Sequence, residues 1–236
     1  MHSKTIIVTG ASGSLGSAVI QKLISKDYNI VLVARKIKKL QELAESLQAE
    51  RDFLLILAGD VTSDTSVHEI VEKTVEKFQR VDILIQIAGT YKGGKPIYQT
   101  DLKVWDDLFN LNAKSLFILT REIVPIMITQ GSGLIITVSS KNALEIAPTS
   151  GIYAASKNVT LKLSQTLAKE LIDKNIRVNC ILPSIIDSAP NRESMPKSDF
   201  TKWVKPESIA DVIEFLLSNE ASAITGAAIP VYGKLL

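Results

Sequence analysis

Short, nearly unbroken apolar runs alternate along this chain with longer segments in which apolar residues return every three or four positions. The runs cover residues 5–9, 29–34, 53–58, 81–88, 133–138, 176–182 and 227–231, and Val and Ile dominate them. Strands read this way when helices cover both faces of a parallel sheet, because neither face is left for polar side chains. Between the second and third runs, Leu40, Leu43, Ala44 and Leu47 recur at helical spacing while Lys36, Lys38, Lys39, Glu42 and Glu45 take the other positions. That is an amphipathic helix. Strict strand and helix alternation predicts an α/β fold, a single-domain Rossmann-type doubly wound parallel sheet of about seven strands. No linker or repeat breaks the pattern, so residues 1–236 are expected to form one domain. Residues 184–205, with Pro190 and Pro196, show no clear period. A stretch of that kind in a compact domain is expected to be a functional or mobile loop. With the sheet accounting for nearly all the rest, it is the segment expected to choose a substrate.

Composition narrows the chemistry. Lys and Arg total 27 against 25 Asp and Glu, a net charge of +2 with no long block of either sign. The electrostatic footprint of a nucleic-acid or membrane-surface binder is missing. One cysteine, Cys180, and two histidines, His2 and His68, are too few for a Cys/His zinc site, a histidine-based catalytic dyad or a disulfide scaffold. No metal is expected, and acid–base work must fall to other side chains. The first apolar run is five residues long and turns at Gly10, too short for a signal-peptide core. No apolar stretch approaches the ~18 residues of a membrane span. The expectation is a cytoplasmic enzyme of small solutes with no nucleic-acid or membrane partner.

The first run ends in Thr9-Gly10-Ala11-Ser12-Gly13-Ser14-Leu15-Gly16, and Ala18, Val19, Leu23 and Ile24 continue at helical spacing. Glycines in a strand–turn–helix let the backbone approach a pyrophosphate, which the free N–H groups and positive helix end then favour. A tight turn that binds nothing accounts for the same residues. An ATPase phosphate loop is disfavoured, because Gly16-Ser17-Ala18 stands where Gly-Lys-Ser/Thr is needed. After the second run come Ala34-Arg35-Lys36. A 2′-phosphate calls for a cation there and a free ribose hydroxyl for a carboxylate, so NADP(H) is predicted over NAD(H). The two cations also suit the start of a solvated helix. Asp60 and Val61 follow the third run, where Asp60 either reaches an adenine edge or caps the next helix.

Tyr153-Ala154-Ala155-Ser156-Lys157 opens a stretch continuing through Val159, Leu161, Leu163, Leu167 and Leu171. Spacing of four puts Tyr153 and Lys157 on one helix face. A phenol with a pKa near ~10 is a poor acid or base at neutral pH, and a nearby ammonium lowers that value. The same spacing joins Tyr91 to Lys95 across Gly93 and Gly94, in a predicted loop. Taken alone, the 153/157 pair is surface decoration as readily as chemistry.

The glycine turn, Asn112 followed by Phe117, Ser139-Ser140 thirteen residues before Tyr153, and Tyr153 to Lys157 together resemble the short-chain dehydrogenase/reductase family, from Thr5 to Gly233. Order and spacing of four separate motifs carry the likeness. It implies an NAD(P)(H)-dependent oxidoreductase acting on a small-molecule carbonyl or alcohol. Tyr153 would be the general acid of reduction, and Lys157 would lower its pKa and bind the nicotinamide ribose. Ser140 would hydrogen-bond the substrate oxygen, and Asn112 would hold a helix break and a water linking Lys157 to solvent. Ser140 and Asn112 also fit plainer roles, as a strand-end turn residue and a helix cap. The resemblance further implies cofactor contacts from Gly10, Ser12, Gly13, Ser14, Leu15 and Gly16, from Ala88 and Gly89, and from Pro183, Ile186 and Ser188. Homodimers or homotetramers would form through helices around Leu116 to Met127 and Val159 to Leu171, although an intramolecular buried face produces the same pattern.

Several positions depart from the family pattern. Ser14 replaces its usual glycine, with Gly13 one place earlier; Gln86-Ile87-Ala88-Gly89 replaces Asn-Asn-Ala-Gly; Pro183-Ser184 replaces Pro-Gly; and Tyr232-Gly233-Lys234 replaces a late Asp-Gly-Gly. The glycine spacing, Ala88 to Gly94 and much of 187–203 look like dihydropteridine reductases. Those enzymes characteristically carry an acid after the second strand and lack the serine at 140, whereas this chain has Arg35 and Ser140. A carbonyl reductase is therefore the first expectation, a pteridine reductase the second, and a dinucleotide-binding sensor without turnover the third.

Overall fold

The computed structural model describes residues 3–48, 51–146 and 148–235. In chain order the elements are β1 (Lys4–Thr9), α1 (Ser14–Leu23), β2 (Tyr28–Ala34), α2 (Ile37–Ser46), β3 (Leu54–Ala58), α3 (Asp64–Phe78) and β4 (Ile83–Gln86). There follow α4 (Leu102–Phe109), α5 (Ser115–Gln130), β5 (Gly133–Val138), α6 (Gly151–Leu171), β6 (Ile176–Pro183), α7 (Ala189–Ser194), α8 (Pro206–Leu217) and β7 (Ala228–Val231). Each apolar run yields a strand, and the described strands form one parallel sheet of seven in the order β3-β2-β1-β4-β5-β6-β7.

Alternation along β1 explains the two layers. Ile6 and Val8 point to one face and pack with α1 and α8 residues such as Val19, Ile20, Ile209 and Ile213. Ile7 points to the other, against Val67 and Ile70 of α3 and Leu119 and Ile123 of α5. The order in which strands are added reverses between β1 and β4, which run parallel with Thr9 opposite Gln86 at their carboxyl ends. Open α/β sheets hold their ligands in the crevice at such a switch point.

One expected feature differs. The 184–205 segment is folded rather than a bare loop: it contains α7, a bridge from Ile186 to Val204, and the buried side chains of Trp203 and Val204. On α5, Leu116, Leu119, Ile123 and Met127 are fully buried within this one chain. These four face the intramolecular core, while Phe117 and Ile128 of the same helix are exposed.

Candidate active site

The turn after β1 shows what each glycine does. Gly10 has φ +69°, and a Cβ there would lie 2.9 Å from the Ala88 nitrogen. A Cβ at Gly16 would press into the backbone of Gly10 and come within 2.7 Å of Ala11. These two let α1 pack closely on the turn. Gly13 is different, since a Cβ there would meet only the Gly10 carbonyl oxygen at 3.4 Å. Gly13 is the N-cap residue of α1 and offers no side chain to cap it. The N–H groups of the first turn, Ser14, Leu15 and Gly16, are therefore available to an anion.

A cleft of about 500 Å³ opens over this turn. Ser12, Gly13, Ser14 and Leu15 form its floor, with Val61 and Asp60 beside them. Exposed Arg35 and Lys36 stand at one end together with Lys39. Ala88 and Gly89 form the opposite wall, and Ile186 and Ser188 the lip. Pro183 lies behind them as the last residue of β6, buried and paired with Val231. The residues fit a dinucleotide: a clear turn at an uncapped helix start suits a pyrophosphate, and clustered cations suit a further phosphate.

Asp60 does not cap α3. Its carboxylate accepts from the backbone N–H and hydroxyl of Thr62, at 2.9 and 2.7 Å, and Ser63 caps the helix instead. Those hydrogen bonds, with a smaller contribution from the Arg35 charge, hold the Asp60 pKa below its ordinary value.

Beyond Gly89 lie Asn112, Ser140, Tyr153 and Lys157. Asn112 caps nothing. It sits in a π-helical turn, Asn110–Lys114, that carries α4 into α5 with no break in helical backbone. One added residue in such a turn bulges the helix, and π turns of this kind are frequent at functional sites. Here the bulge presents a fully buried amide that accepts from Thr90 N (2.8 Å) and donates to Thr90 O and Ser156 Oγ (3.0 Å each). Thr160 Oγ1 donates to the Asn112 carbonyl at 2.7 Å, locking the turn onto α6.

The paired serines have separate work. Ser139 Oγ donates to the Lys157 carbonyl at 2.7 Å and anchors α6. Ser140 Oγ accepts from Asn142 N at 3.2 Å, capping a short turn, and stands near enough to the Tyr153 phenol to lower its pKa. Lys157 is buried, and its ammonium donates to the Val138 carbonyl at 2.9 Å. A Cβ at Gly89 would lie 3.0 Å from Lys157 Nζ and 3.2 Å from Asn112 Oδ1, so glycine is what lets this loop touch both.

Burial, more than any neighbouring charge, sets the Tyr153 pKa. Burial pushes the Tyr153 phenol up, Ser140 pulls it down by hydrogen bonding, and neighbouring Tyr91 adds to the rise. Burial also lowers Lys157, to about 8, with proximity to Cys180 opposing. Desolvation acts on both partners in opposite directions, each toward its neutral form. At neutral pH the pair is still a protonated phenol near an ammonium.

Tyr91 lies in a loop, as Gly93 and Gly94 beside it predict. Its ring nevertheless meets that of Tyr153 edge-on, with centroids 4.9 Å apart, and its hydroxyl lies 2.9 Å from Ser150 Oγ. Half of its surface stays exposed, at 59%. Lys39, on the polar face of α2, also lines the cleft. It stands in the first turn of α2, three residues after the N-cap Lys36, and so reaches the cleft that Arg35 borders from outside the helix.

The sequence matches the short chain dehydrogenase family over residues 4–199. It is 33% identical to the 3-oxoacyl-[acyl-carrier-protein] reductase FabG of Thermotoga maritima, covering 100% of this chain and 99% of that protein. It is 30% identical to dehydrogenase/reductase SDR family member 4 of Homo sapiens, over 99% of this chain and 87% of the relative. Among solved structures, L-sorbose reductase from Gluconobacter frateurii, complexed with NADPH and L-sorbose, is similar with a TM-score of 0.89 and 30% identity. That match covers 100% of this chain and 97% of the other.

Proposed function

The chain belongs to the short-chain dehydrogenase/reductase family, and from that premise we propose that it reduces a small carbonyl compound, or oxidises the matching alcohol, with NADPH preferred over NADH. The observation that carries this reading is buried Lys157 and Asn112 meeting at Gly89, with Ser140 and Tyr153 beside them, at one end of a cleft whose other end holds three cations.

The reduced nicotinamide, when bound, supplies the hydride. The chain's own groups manage the oxygen. Ser140 and Tyr153 hydroxyls donate to the carbonyl oxygen, where negative charge grows as the bond is reduced, and fixed donors aimed at developing charge lower the barrier. Tyr153 then gives up its proton to that oxygen. Its raised pKa keeps the phenol protonated at neutral pH, which suits an acid in the reducing direction. The Lys157 ammonium, held by the Val138 carbonyl, favours the phenolate that remains. Asn112 holds Thr90 and Ser156, and so keeps the Gly89 wall and α6 at a fixed distance.

Arg35 supports the cofactor preference, since a guanidinium binds a phosphate bidentately and no acid replaces it at the end of β2. Isothermal titration should show NADPH binding more tightly than NADH. Arg35→Leu should shrink that ratio by roughly 10- to 100-fold, the worth of a charge-assisted pair. Equal affinities in the parent protein, or a ratio unmoved in the variant, would contradict the preference.

A further inference from the structure

Ser140 is followed by Lys141, whose side chain is only 15% exposed. Its ammonium donates to the Leu235 carbonyl at 2.7 Å, pairs with Glu145 at 3.4 Å and stands 5.2 Å from the centre of the Tyr232 ring. A long, flexible side chain gives up much rotamer freedom to be held this way, and it does so directly beside the serine that faces Tyr153. The segment it fastens, 231–235, is tied at two further points. Ser184 binds it through its N–H to the Val231 carbonyl (3.2 Å) and through its hydroxyl to the Tyr232 carbonyl (2.7 Å). Lys234 N donates to the Lys202 carbonyl at 3.0 Å. Gly233 makes that approach possible. It has φ +61°, and a Cβ there would lie 2.9 Å from the Lys202 oxygen.

Ser184 and Lys202 are near the two ends of the segment that brings Ile186 and Ser188 to the cleft. We propose that residues 231–235 form a strap joining both ends of this segment to the Ser140 turn, and that Lys141 is a positioning residue for reduction through its hold on the strap. Displacing the strap frees the substrate segment and lets the turn at 141–143 shift, carrying Ser140 with it. This rests on the reading of Ser140 and 184–205 given above, although the strap itself has a readout that needs no turnover.

The test compares Lys141→Met, Lys141→Arg and Gly233→Ala in the full chain. Lys141→Met should lower kcat/KM for a carbonyl substrate by about tenfold or more, since small misplacements of reacting groups are costly. NADPH affinity should fall by less than kcat/KM does, because the glycine turn and Arg35 are untouched and only Ile186 and Ser188 of the cleft move with the segment. Arginine, which reaches the same carbonyl and ring, should restore most of the loss. Limited trypsin digestion should cut after Lys197 and Lys202 faster in Lys141→Met and Gly233→Ala than in the parent, with Lys141→Arg close to the parent. Unchanged digestion in both the Met and Ala variants would overturn the strap, whether or not the protein turns over a carbonyl. Equal impairment of the Met and Arg variants would overturn the role of Lys141. Failure of the parent to reduce any carbonyl, with the digestion pattern as expected, would overturn the catalytic reading and leave the strap.

Discussion

Tyr153→Phe should lower carbonyl reduction by roughly 10²- to 10⁴-fold, the usual contribution of a positioned acid, while NADPH affinity stays nearly unchanged. The substitution removes one oxygen and keeps the ring. The edge-on contact with Tyr91, at 4.9 Å, is made by ring atoms and survives. The cleft residues from Gly10 to Gly16 and at Arg35 lie on other elements and are untouched. What is lost is the one group of the Ser140, Tyr153 and Lys157 set that the proposed mechanism uses to hand a proton to the substrate oxygen. Single-turnover NADPH oxidation measures the step without interference from product release. Retained activity in the variant would mean that another group supplies the proton.

Lys157→Met should also lose most activity, and the pH dependence of the parent protein should show why. Burial depresses Lys157 to about 8, so the ammonium predominates below that pH and is lost above it. Reduction, measured as kcat/KM, should therefore fall as pH rises through about 8. The same shift makes a statement about stability. An unfolded lysine keeps its proton up to ~10.4, so between the two values the unfolded state binds a proton that the folded state has released. Stability from this residue accordingly rises with pH across that window, and the buried charge costs the fold roughly 3 kcal/mol below it. The Met variant should thus melt no lower than the parent at neutral pH while being nearly inactive. A clearly lower melting temperature would assign Lys157 a structural role, and a reduction rate flat through pH 8 would remove the ammonium from the mechanism.

How much of this was legible follows from the range over which each feature acts. The strands could be read because burial on both faces leaves continuous apolar runs, and the glycine turn because two of its positions tolerate no Cβ. Asn112 was readable as a site residue and not as a π turn, since helical spacing continues through Asn110–Lys114 and asparagine ordinarily favours caps. Asp60 was open between two roles, and the nearby Ser63 settled the capping one by taking it. Residues 184–205 showed no period because their regular pieces, a six-residue helix and a single bridge, are too short to display one. Tyr91 and Lys141 were invisible for a plainer reason. Their contacts, to Tyr153 and Ser150 in one case and to Leu235 ninety-four residues away in the other, exist only in the folded chain.

Steady-state turnover of a panel of aldehydes, ketones and quinonoid pteridines, each with NADPH and with NADH, tests the proposed activity most directly. The account predicts reduction of at least one aldehyde or ketone, with a higher kcat/KM for NADPH than for NADH. Tight NADPH binding without turnover of any member, or turnover confined to pteridines with NADH, would contradict it.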